Sequence, residues 1–115
     1  MKRLTQEHKW KRTIEWLRLQ FPGRAPIKVR RQKLQEVCGD CTYCNCPGDD
    51  DEEFYIRIDK SAPYRVKLDT LFHEWAHALS WFARPGVDDH SGEWGLAFAD
   101  IYSAFIRWNY GKGDK

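Results

Sequence analysis

His73-Glu74-Trp75-Ala76-His77 places two imidazoles four residues apart with a carboxylate beside the first. On an α-helix, positions four apart share a face, so both histidines can reach one metal ion. Glu74 projects about 100° further round the helix, beside the metal rather than onto it. That trio suits a hydrolytic zinc site: the two histidines would hold a metal that activates water, and Glu74 would take its proton as general base and pass it to the leaving amine. Three fixed positions in five arise by chance on the order of once in a few hundred chains of this size. A core helix with two hydrogen-bonded histidines is the plain alternative, but it would bury Glu74 with nothing to offset its charge.

Catalytic zinc usually takes three protein ligands and a water. The chain has four histidines, and three lie between positions 73 and 90. Arg84-Pro85-Gly86 reads as a helix break, and Val87-Asp88-Asp89-His90-Ser91-Gly92-Glu93-Trp94-Gly95 follows. That length lets the chain leave the helix, turn and return His90 to the same ion. Glu93 is the rival third ligand, since His-His-Glu sets also hold catalytic zinc. Asp88 and Asp89 read as a solvated capping loop, and Ser91 as an N-cap with Glu93 complementing the dipole of the next helix.

These motifs carry a resemblance. His73-Glu-x-x-His77, then Asp89-His90-Ser91-Gly92-Glu93-Trp94-Gly95, then Ala97-Phe98-Ala99-Asp100-Ile101-Tyr102, resemble a SprT/Spartan-like zinc metallopeptidase domain. Such domains follow the first motif with a His-Gly-x-x-Phe element; here the glycine stands one place later and Trp94 stands near the aromatic position. The resemblance covers about a third of the chain, from Leu68 to Tyr102. It implies a minimal zincin with zinc at His73, His77 and His90, Glu74 as general base, and a protein or peptide as substrate. Metzincins are excluded, because the one methionine is Met1 and no Met-turn can form.

Other residues invite roles. Tyr102 and Tyr64 are candidate oxyanion donors, with core packing as the plainer role for both. Asp100 could orient a ligand imidazole or face water.

Cys38, Cys41, Cys44 and Cys46 fall within nine residues, followed by five consecutive acids from Asp49 to Glu53. In a reducing compartment such spacing suggests a second, structural zinc before a disulfide, although four ligands so close together rarely wrap one ion well. Free thiols are the other expectation. The stretch from 38 to 53 reads as a loop inserted before the last strand.

The elements that must position the site follow from periodicity. Trp10, Ile14, Leu17 and Phe21 predict a helix over Thr5 to Gln20, stopped by Pro22-Gly23. Ile27 and Val29 predict a strand over Pro26 to Arg31, and a second strand is expected near Lys33 to Val37. Phe54, Ile56 and Ile58 alternate with polar partners as a half-buried strand. The zinc helix follows, with Asp69 as its expected N-cap. A last helix runs from Ser91 to Trp108 on Leu96, Ala99, Ile101, Tyr102, Phe105 and Trp108. The expected architecture is α+β, a single domain over 1–115: N-terminal helix, three-stranded sheet, active-site helix, C-terminal helix. A sheet edge beside the zinc helix could accept an extended peptide as an extra strand.

Charge is uneven. Residues 1–33 hold eleven Lys or Arg against Glu7 and Glu15, a balance of +9, while the remainder carries −7. With Trp10 and Trp16 interleaved, the basic third could follow a phosphate backbone, or simply form the solvent face of a helix. The corresponding second function is a nucleic-acid-associated adaptor on a catalytically idle zincin scaffold with a Cys-bound zinc. No apolar run reaches membrane length, and the N-terminus lacks a secretory pattern, so a cytoplasmic enzyme without membrane contact is expected.

Overall fold

Thr5 opens the first helix, α1 (Gln6–Gln20), its hydroxyl accepting from the His8 amide at 3.1 Å. This satisfies one of the amides that every helix N-terminus leaves without an internal partner. The computed structural model describes residues 5–45, 52–82 and 92–110. Over these the order is α1, β1 (Ile27–Gln32), β2 (Gly39–Asn45), β3 (Glu52–Asp59), α2 (Tyr64–Ser80) and α3 (Gly92–Tyr110). This is the expected α+β plan of three helices and one small sheet.

The sheet runs β1-β3-β2, with β3 parallel to β1 and antiparallel to β2. Alternation along β3 buries Phe54, Ile56 and Ile58 completely and turns Tyr55 and Arg57 outward. All three helices contribute to the core over that inner face, with Leu17 from α1, Phe72 and Trp75 from α2 and Ile101 from α3. Trp75 is fully buried, and its indole N–H donates to the Phe21 carbonyl at 2.9 Å, fastening α2 to the end of α1. Truncating such a side chain to alanine costs about 3–5 kcal/mol.

Two expectations about the strands need correction. Lys33 to Val37 is not a strand: Leu34 is buried as a single anchor, and Glu36 sits at φ 70°, a left-handed conformation that breaks extension. The second strand instead begins at Gly39, inside the stretch read as a Cys-rich loop. Cys41 and Tyr43 supply its inward positions, opposite Ile56 and Phe54. A half-buried thiol fills an inward site as a small apolar group does, and that is why the alternation was concealed.

The second helix also starts earlier than expected, at Tyr64. Asp59 folds a turn by accepting from the Ser61 amide and hydroxyl at 3.2 and 2.9 Å, and Pro63 then leads directly into α2. Asp69 therefore lies inside α2 rather than at its N-cap. In α3, Leu96 is 69% exposed, and the face turned to α2 is set by Trp94, Phe98, Ile101 and Tyr102.

Candidate metal centre

Within α2 the periodic apolar positions Leu68, Leu71, Phe72 and Trp75 fix which way the helix faces, and hence where the histidines point. His73 and His77 end up half-buried on the side next to α3, and their Nε2 atoms approach to 3.2 Å. Two nitrogens each about 2.0–2.1 Å from one tetrahedral zinc would stand about 3.3 Å apart. That spacing suits two ligands of a single ion, and equally one imidazole N–H donating to the other ring's nitrogen. Among the described residues these two imidazoles are donors of the kind zinc takes.

Glu74 lies about 100° further round α2, on the side towards the sheet. Gly39 of β2 lies so close to α2 that a Cβ there would fall 2.6 Å from Thr70 Cγ2. Four helical residues rise about 6 Å and two strand residues about 6.6 Å, so α2 and β2 advance in step from this contact. Glu74 accordingly comes over Cys41, whose thiol its charge disfavours ionising. Glu74 is only 8% exposed. Burial, with a smaller contribution from the negative charge of Asp40, raises its carboxyl to about 7. Burial likewise raises the Cys41 thiol to about 12, aided by Glu74 and Asp40.

β2 forms one edge of the sheet, and among the described residues no strand pairs with its outer side. The helix therefore presents histidines on its α3 side and a carboxylate on its β2 side, next to an open strand edge.

The α3 contribution is aromatic. Trp94 lies 5.0 Å from the His73 ring and 5.5 Å from the His77 ring, and its indole N–H donates to the His73 carbonyl at 3.2 Å. By sequence Trp94 stands only near a motif position; its four-residue spacing to Phe98 and Tyr102 is the signal that the three share a helix face. Glu93 occupies the first turn of α3, one residue from Trp94, half-buried at the same end of the helix. His90 lies outside the described residues.

Tyr102 does not reach the histidines with its hydroxyl, which donates to Asp69. Tyr64 packs edge-on against Trp10 at 6.4 Å. Both are seam residues between helices. Asp100 is exposed and faces water.

The two described cysteines within β2 do not converge. Cys41 and Cys44 are three apart in an unbroken ladder, so they project to opposite faces of the sheet. Cys38, Cys41 and Cys44 are free thiols, and Cys46 lies outside the described residues.

The basic third is partly spoken for. Glu7 pairs with Arg31 at 2.7 Å, Glu52 with Arg24 at 3.4 Å and Glu53 with Lys28 at 3.2 Å. Trp10 and Trp16 are 3% and 8% exposed, so neither offers a face for stacking on a base. Lys9 and Arg12 do border a cleft of about 520 Å³ between the three helices, walled by Tyr64, Phe105 and Trp108. No described helix is long and apolar enough to cross a membrane.

Comparison of the chain with known protein families, with curated proteins and with solved structures returns no match.

Proposed function

We propose that this chain is a zinc-dependent metallopeptidase of the SprT-like minimal zincin type. The observation that supports it best is the convergence of His73 and His77 on one point, with buried Glu74 one residue along the same helix. His73 and His77 would hold zinc together with His90, or with Glu93 if the carboxylate completes the set. A zinc ion bound there supplies Lewis acidity, lowering the pKa of a coordinated water and polarising a peptide carbonyl.

The chain's own residues do the rest. Glu74 accepts the proton released by the attacking water and returns it to the departing amine nitrogen. Its low exposure keeps bulk water from competing for that proton. The free edge of β2 holds an extended peptide by main-chain hydrogen bonds, in line with the side of α2 that carries Glu74. Main-chain pairing needs no particular side chain, so such a cleft favours unfolded or flexible protein segments over folded ones.

Glu74→Gln tests the reading. Zinc should remain bound while hydrolysis of a denatured protein falls by at least ~10²-fold, the usual loss with a general base. Full activity in that variant would overturn it.

A further inference from the structure

Histidine is loosely held by its own geometry: the torsion that turns the imidazole is broad and roughly two-fold. A helix fixes where His73 and His77 start, not where their Nε2 atoms end. The two rings touch each other at 4.8 Å between centres, and α3 packs against both of them.

Trp94, Phe98 and Tyr102 follow each other at four-residue spacing along one face of α3, laid against Asp69, His73 and His77 at the same spacing on α2. Trp94 contacts both imidazoles, at 5.0 and 5.5 Å between ring centres. Phe98 stacks on Trp94 at 5.1 Å with 14° between the planes, and lies 6.1 Å from His73. Tyr102 packs on Phe98 at 5.3 Å and donates to Asp69, fixing the far end of the row. The indole N–H donates to the carbonyl of His73 itself. That bond satisfies the indole donor, which burial would otherwise leave without a partner. It pins Trp94 to the backbone of the residue whose ring it orients.

We propose that Trp94 is a positioning residue, holding His73 and His77 in the convergent pose that binds a metal ion. The inference rests on the metallopeptidase reading for the existence of that ion. Phe98 and Tyr102 back the indole, so the row transmits the fit of the two helices to the two ligands. Groups that orient metal-binding histidines typically change metal affinity 10–100-fold when altered.

The test uses the full chain, with Co²⁺ as a coloured probe and Zn²⁺ in competition. Trp94→Phe keeps a ring and loses the N–H; Trp94→Leu loses both. Trp108→Phe is the control, since Trp108 stacks on Trp16 at 5.1 Å and makes the same kind of helix contact away from the histidines. Co²⁺ affinity should fall by ~10-fold or more in Trp94→Phe and further in Trp94→Leu, with an altered d–d spectrum. Trp108→Phe should lower the melting temperature while leaving affinity and spectrum alone. Should Trp94→Leu fail to fold, Trp94→Phe decides. If the original chain binds Co²⁺ but both Trp94 variants bind it equally well with the same spectrum, the positioning role is overturned and the metal site stands. An affinity loss in Trp108→Phe as large as in Trp94→Phe overturns it too. If the original chain binds neither metal, the metallopeptidase reading itself fails, and this inference with it.

Discussion

Cys41 on β2 lies beneath Glu74 on α2, and the carboxylate charge adds to burial in keeping the thiol protonated. With its pKa near 12, about one molecule in 10⁴ carries the thiolate at pH 8, and the thiolate is the reactive form. Cys38 is exposed at the start of the same strand. Alkylation of the folded protein at pH 8, followed by peptide mass analysis, should label Cys38 long before Cys41. Denaturant should bring Cys41 up to the rate of Cys38. Equal rates in the folded chain would mean that β2 does not face α2 as described.

Glu74 makes stability depend on pH in the metal-free protein. Its folded pKa, near 7, lies above the ordinary carboxyl value of 4.5. Between those limits the folded state keeps a proton that the unfolded chain has lost, so stability declines as pH rises from about 4.5 to 7. The gap corresponds to roughly 3 kcal/mol at most. Urea unfolding at several pH values, in the presence of chelator, should show this decline in the original chain and a flatter profile in Glu74→Gln. Identical profiles would place Glu74 in water.

The third ligand is decided by metal retention. His90→Ala should weaken zinc binding about as severely as His73→Ala, because each leaves two protein ligands. Retention in His90→Ala together with loss in Glu93→Ala would assign the role to Glu93 and move the chain away from the SprT-like pattern.

Splitting of Cys41 and Cys44 between the two faces of β2 bears on metal content. Reduced, purified protein should carry close to one zinc per chain, and Cys44→Ser should leave that number unchanged. Two zincs, one of them lost both in Cys44→Ser and on mild acidification, would restore a thiolate site.

Gly39 brings β2 into close contact with α2. A methyl group there would meet Thr70 Cγ2 at 2.6 Å and the Arg57 carbonyl oxygen at 2.7 Å. The Arg57 carbonyl belongs to the sheet and cannot step aside cheaply. Gly39→Ala should therefore destabilise the fold by about 1–3 kcal/mol, the usual cost of overpacking. Chemical denaturation measures it; an unchanged midpoint would show that β2 has room to shift.

Residues 73–77 disclosed the candidate chemistry before any fold was known, because helical periodicity is local and a four-residue spacing fixes a shared face whatever surrounds it. Trp10, Leu17, Phe54, Ile56 and Ile58 announced α1 and β3 for the same reason: each pattern needs only its own segment. β2 was hidden, since Cys41 and Tyr43 count as inward positions only when Ile56 and Phe54 are placed opposite them. Trp94 was likewise just an aromatic until α3 was laid along α2, whereupon its ring met two imidazoles and its N–H met the His73 carbonyl. Trp10 and Trp16 could have been stacking surfaces by sequence, and the three-helix core consumed them. The types and spacing of the histidines are written along the chain. Their orientation depends on contacts between segments far apart in sequence, and only the packed chain brings them together.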